Sequence, residues 1–149
     1  MAQTYIGSTL RTGSGTLTDT TDGGFVVVSQ TTTVTTVSAG TAVSSTITLP
    51  ASSQIINFFV DCTTLPVVGG GTATTVPITI GTAAAGTQYL SATDVISGGR
   101  ASLSFTAAQL TAMEDVNANT TVAFTIDPNG TVSTTQGVYR LTVVYAQKV

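Results

Sequence analysis

Apolar and polar residues alternate along much of this chain, and they do so most clearly in residues 46–62, TITLPASSQIINFFVDC. Ile47 and Leu49 alternate with Thr46 and Thr48, the period-two pattern of a strand with one buried face. Pro50 has no N–H to give to a ladder and ends that strand. After Ala51-Ser52-Ser53, the run from Gln54 to Val60 is almost continuously apolar, which predicts a strand covered on both faces. The two strands read as a hairpin at the centre of a β-sandwich. Its core would bring Ile47, Leu49, Ile55, Phe58 and Val60 against Val122, Phe124, Leu141 and Val143.

The other segments read as sheet laid around this one. FVVVSQTTTVTTV (25–37) predicts one long strand, or two meeting at Ser29-Gln30, and its hydroxyl-rich second half belongs at an edge or on a subunit contact. In TVPITIG (75–81), Val76, Ile78 and Ile80 share a face, and Pro77 points to an edge position or a bulge. Residues 81–99 read as an irregular excursion anchored by Tyr89, Leu90, Val95 and Ile96. Residues 100–105 read as a short strand with Leu103 and Phe105 on one side. Thr106-Ala107-Ala108-Gln109 has the form of a capping box ahead of Leu110 and Met113, predicting one or two helical turns. Val122, Phe124 and Ile126 then alternate with Thr121, Ala123 and Thr125. Asp127-Pro128-Asn129-Gly130 supplies turn chemistry, so this strand and 138–145 read as a second hairpin. In the last strand Tyr139, Leu141, Val143 and Tyr145 form one face, and Val138, Arg140, Thr142 and Val144 the other.

About eight strands with no fixed internal period predict an all-β fold, a jelly-roll-like or Greek-key β-sandwich with at most one short helix. Residues 25–149 would form this domain. Residues 1–24, rich in Gly, Ser and Thr with Tyr5, Ile6 and Leu10 as isolated apolar anchors, read as an extended N-terminal arm, either loose or ordered against another subunit.

Composition sharpens the picture. The chain has 149 residues, 42% of them apolar and only 7% charged, far below the typical quarter or so. Roughly a fifth are threonine, whose β-branched side chain suits a pleated, half-buried surface. Solubility therefore rests mostly on hydroxyls, and little long-range repulsion keeps copies apart. The net charge is −3, and the basic residues Arg11, Arg100, Arg140 and Lys148 are scattered, so no basic footprint for nucleic acid is expected. Cys62 is the only cysteine; a disulfide framework is excluded, and the thiol reads as a small buried hydrophobe. MAQTYIGSTL lacks the charged start and apolar run of a signal peptide, and no apolar stretch reaches a membrane span, so a soluble protein is expected.

Candidate chemistry is sparse. There is no histidine, which removes Ser-His-Asp and Cys-His catalysis and the commonest metal ligand. Glu114-Asp115 reads as a helix end in solvent rather than an acid/base couple. Asp19-Thr20-Thr21-Asp22-Gly23-Gly24 resembles a calcium loop but lacks its ligand count and distal Glu. Asn119-Thr120-Thr121 and Asn129-Gly130-Thr131 match the glycosylation acceptor as expected by chance in a threonine-rich chain. Gly69-Gly70-Gly71 precedes no helix with a lysine, so no phosphate loop is present. Neither an enzyme nor a cofactor is expected.

The stretches ITLPASSQII (47–56) and PITIGTAAAGTQYL (77–90), with the final Asp-Pro-Asn-Gly turn, resemble capsid decoration or cement proteins of tailed bacteriophages, especially cyanophage-like ones, over residues 25–146. The resemblance implies a jelly-roll-like virion protein on the outside of an icosahedral head, often a homotrimer, bound to the major capsid protein. It implies no catalytic, metal or cofactor residues. Tyr5, Ile6, Leu10, Arg11, Tyr89, Leu90 and Arg100 are the expected partner contacts, from the arm and the loops at 63–74 and 82–99. Two rivals are a carbohydrate- or receptor-binding sandwich of a phage fibre or adhesin, with Tyr5, Tyr89, Tyr139 or Tyr145 stacking on sugar, and an ice-binding threonine array, which the irregular spacing disfavours.

Overall fold

The alternating segments pair into two four-stranded antiparallel sheets. The computed structural model describes residues 11–12, 15–16, 25–37, 39–67, 72–114, 116, 118–132 and 135–148. The readings of Tyr5, Ile6, Leu10, the 19–24 loop, the 69–71 glycines and Asp115 lie outside these residues. In chain order the strands are β1 (Arg11–Thr12), β2 (Gly15–Thr16), β3 (Phe25–Thr35), β4 (Val43–Leu49), β5 (Ser53–Thr64), β6 (Pro77–Gly81), β7 (Leu90–Asp94), β8 (Gly99–Arg100), β9 (Thr120–Ile126) and β10 (Val138–Lys148), with helix α1 (Ala107–Glu114) before β9. β1 and β2 pair with each other.

The first sheet has the order β3-β10-β5-β8 and the second β4-β9-β6-β7. Pairing is nested: β3 with β10, β4 with β9, β5 with β8 and β6 with β7, all antiparallel. That nesting is a long hairpin rolled into a two-layer sandwich, the jelly roll. The expected fold class is therefore observed. Its core is filled by the inward set of each strand, including Leu49, Phe58, Val60, Ile78, Ile80, Val122, Phe124, Ile126, Tyr139, Leu141 and Val143, all at most 1% exposed. Burying each side chain of this size is worth about 1.5–3 kcal/mol, so the alternation itself is the main force for folding. Phe58 sits at the aromatic centre, with ring centroids 5.8 Å from Tyr89, 6.4 Å from Phe105 and 5.9 Å from Phe124.

Several expectations need correcting. β4 and β5 do not form a hairpin but lie in different sheets, and Pro50 to Ser52 carries the chain across the sandwich. Ser52 takes φ 59°, and its N–H bonds to Val116 O at 2.7 Å. Ile47 and Leu49 thus belong to the layer opposite Ile55 and Phe58, an arrangement that alternation alone cannot distinguish from side-by-side pairing. β5 is not covered on both faces either. Between Val144/Asn57 and Tyr145/Ile55 its register to β10 slips by one residue, a bulge that leaves Ile56 50% exposed. The segment after Asp127-Pro128-Asn129-Gly130 also crosses between sheets. Asn129 Oδ1 accepts from Thr74 N at 2.8 Å and Thr75 N at 3.0 Å, so the turn is locked to the segment before β6 instead of closing a hairpin.

Pro77 opens an interior strand, where its missing N–H falls at the first position. The excursion at 81–99 contains β7, and the strand expected at 100–105 reduces to β8, with Leu103 and Phe105 packed against the core as irregular chain. The capping box is present: Gln109 N donates to Thr106 Oγ1 at 3.3 Å and Thr106 N to Gln109 Oε1 at 2.9 Å. Yet Gln109 and Met113 form the buried face of α1, and Leu110 is half exposed. Cys62 is half-buried at the core margin, not enclosed, with its thiol donating to Thr64 O at 3.2 Å.

Candidate functional site

The inward residues of β10, Tyr139, Leu141, Val143 and Tyr145, leave its alternate residues on the outer face of the first sheet. Register extends this face across the strands in transverse rows. Val27, Ala146 and Gln54 form one row; Ser29, Val144 and Asn57 the next; then Thr31, Thr142 and Phe59; then Thr33, Arg140, Asp61 and Arg100. Thr31 and Thr142 share a hydroxyl hydrogen bond of 2.9 Å within their row. Val27 is 64% exposed. The result is an open surface, mostly of hydroxyls and small apolar groups, crossed at one end by charge.

That charged row is the one place where a carboxylate meets two guanidinium groups among the described residues. Asp61 receives Arg100 side-on through two bonds, Nε to Oδ1 at 2.8 Å and Nη2 to Oδ2 at 3.2 Å, while Arg140 Nη2 donates to Oδ2 at 3.1 Å. The arginines cover the carboxylate, whose side chain is only 14% exposed against 57% and 54% for Arg100 and Arg140. The Arg100 guanidinium also stacks over the Phe59 ring, 4.5 Å from its centroid, a cation–π contact that keeps the fork flat on the sheet. The hydrogen bonds from Arg100 hold the Asp61 carboxyl below its ordinary value of 3.8; burial opposes them as the next largest effect, and the bond from Arg140 and the two positive charges add to the lowering. The same pairing raises the Arg100 guanidinium.

Part of the second sheet's outer face is closed off. Its outward residues Ala123 and Thr125 are buried, and the turn between β6 and β7 folds back on them, with Ala85 N donating to Thr125 Oγ1 at 2.8 Å. Ser44 Oγ adds a 2.8 Å bond to the same hydroxyl. Over Ala123 and Thr125 the second sheet is thus covered by its own chain, while Ser44, Thr46, Thr48 and Thr121 on its β4 side are exposed; on the first sheet Val27, Ser29, Thr31, Thr33, Gln54 and Arg140 are exposed among the described residues.

Of the expected contact residues, Arg100 lies on the open face and Arg11 lies in β1. Tyr89 and Leu90 require correction: at 4% and 0% exposure they belong to the core and have no surface to offer a partner. The 82–99 excursion turns inward at these two residues because it must close the sandwich beside β6. Sequence reasoning missed Asp61, Phe59 and Arg140 as a unit. The available signal was the interruption of strand patterns by charge in a chain with few charges: Asp61 ends the apolar run of β5, and Arg140 breaks the outward uncharged row of β10. Among the described residues no group of three or more Cys, Asp or Glu could hold a metal ion. No family model, curated protein or solved structure matches the chain.

Proposed function

We propose that this protein is a structural virion component that decorates and stabilises the outside of an icosahedral phage head, bridging major capsid protein subunits and associating with itself as a homotrimer. Jelly rolls serve as capsid, lectin and cupin domains alike, so the fold does not choose among these roles. The observation that carries the reading is the outer face of the first sheet, whose hydroxyl-rich rows are exposed across the width of the sheet among the described residues. A flat, sparsely charged, hydroxyl-rich surface held on rigid strands suits a broad contact with a neighbouring shell. It does not enclose a small substrate. The sugar-stacking alternative loses support, because Tyr89, Tyr139 and Tyr145 are all at most 4% exposed.

The test is copy number. Quantitative mass spectrometry and electron cryomicroscopy of purified virions should find the protein at hundreds of copies, in a symmetric arrangement on the head. A handful of copies confined to a fibre, or none, would overturn the proposal.

A further inference from the structure

We infer that the Arg140–Asp61–Arg100 row is the recognition element of the open face, and that its occupant is a protein surface presenting a carboxylate that the two arginines receive together. The inference rests on the virion reading for the identity of that partner, the shell protein.

Charge balance is the first argument. Two guanidinium groups against one carboxylate leave one positive charge on this row, in a chain whose net charge is −3. Two of the chain's four basic residues stand side by side here, where Asp61 satisfies only part of their bonding capacity. A guanidinium carries five N–H donors in a planar fork. Arg140 gives only an Nη2 bond to Asp61, and Arg100 gives Nε and Nη2. The remaining donors have room for a second acceptor at a position that is already electropositive.

Preorganisation is the second. Free surface arginines lose rotamer entropy when they bind, which erodes the gain. Here Asp61 fixes both forks and the Phe59 ring supports one of them, so an incoming carboxylate would find its donors in place. A planar fork also matches a carboxylate in a bidentate manner, which an ammonium does not. The surroundings complete the case. The next rows, with Thr31, Thr142 and Val144, can be covered without stripping water from further charges, and Thr hydroxyls accept either a donor or an acceptor.

The experiment uses the full chain and particles assembled without it. Wild-type protein should bind with an affinity that falls as NaCl rises. Arg100→Gln/Arg140→Gln should bind about tenfold or more weakly and show a flatter salt dependence, while Thr46→Ala on the second sheet binds as wild type. Circular dichroism and the melting temperature check the fold; should the double variant unfold, Arg140→Gln alone, at a half-exposed position, carries the same test with a smaller loss. Wild-type binding with unchanged affinity and salt dependence in the arginine variants overturns this inference and leaves the virion reading standing. Failure of the wild type to bind particles overturns both. Arginine-dependent binding to a carboxylated polysaccharide, with none to particles, would replace the protein partner by an acidic glycan and so overturn the assignment.

Discussion

Gln30 of β3 donates a 2.7 Å hydrogen bond from Nε2 to the phenolic oxygen of Tyr145. Gln30 stands opposite Val143 and Tyr145 opposite Val28, so both point into the sandwich. Thr32, next on the same face, shares a 2.6 Å hydroxyl bond with Ser45 of β4 in the other sheet. The corner where the two edge strands meet is thus closed by polar side chains that satisfy each other. Gln30→Leu should cost about 1–3 kcal/mol by leaving the Tyr145 hydroxyl without this partner, whereas Gln30→Leu/Tyr145→Phe should cost less than the sum of its two single changes. Urea denaturation of the four proteins measures the difference; simple additivity would count against a working Gln30–Tyr145 bond.

This corner also shows what was legible in advance. The hydroxyl-rich half of β3 lies at an edge, one of the two places its composition implied, because only an edge strand meets another sheet's edge and can keep Gln30 and Thr32 inward and bonded. The inward faces of β4, β6, β9 and β10 were legible for a local reason: alternation within a strand reports its own two faces. Pairing is not local. Both segments read as hairpins, at 50–52 and at 127–130, instead cross the sandwich, since a proline or Asn-Gly signal marks a change of direction without saying which sheet follows. The candidate site was hidden by the same cause. Asp61 lies 39 residues from Arg100 and 79 from Arg140, and only the order β10-β5-β8 brings them into one row.

Gln109 does two jobs with one side chain. Its Oε1 caps α1 through Thr106 N, and its Nε2 donates to Thr87 O at 3.2 Å and to Ser91 Oγ at 3.0 Å, tying the helix to β7. Thr106→Ala should therefore cost about 1 kcal/mol, the usual loss of an N-cap. Gln109→Ala should cost more, about 2 kcal/mol, since it also loses the two bonds to Thr87 and Ser91. Gln109→Glu, which keeps the acceptor and loses the amide donor, should fall between. Equal unfolding free energies for the Thr106 and Gln109 alanine variants would show that the tie to β7 contributes nothing.

Gly40 and Gly99 both take positive φ, 68° and 85°, but in different surroundings. A Cβ on Gly40 would overlap the carbonyl oxygen of Gly130, whereas one on Gly99 would meet nothing within 4 Å. Gly99→Ala should lose about 1–2 kcal/mol, the cost of holding an L-residue left-handed. Gly40→Ala should lose clearly more, because the backbone at Gly130 must also move while Asn129 and Thr131 hold it to 72–75. Thermal unfolding of the pair ranks them, and the reverse order would mean that the 127–131 turn is soft.

Stability should be flat between about pH 5 and 8, because the chain has no histidine to titrate there, and should fall on either side for different groups. Asp61 has a folded value below its ordinary 3.8. Its contribution is fully present above the unfolded value of about 4 and is lost as pH falls through the lowered folded one. Because its arginine partners are half exposed, that acid loss should be small and should shrink further with salt. On the alkaline side, burial pushes the Cys62 thiol above 9.0 and the phenols of Tyr89 and Tyr139 above 10.0. Keeping these groups protonated favours the fold. That stability is fully present below their unfolded values and is lost as pH rises toward the raised ones, beginning with Cys62. Melting curves from acid to alkali should therefore form a plateau with two shoulders. Asp61→Asn should remove part of the acid shoulder, and Cys62→Ala should delay the onset of the alkaline one. An acid limb unchanged in Asp61→Asn, or an alkaline onset unchanged in Cys62→Ala, would assign that limb to other groups.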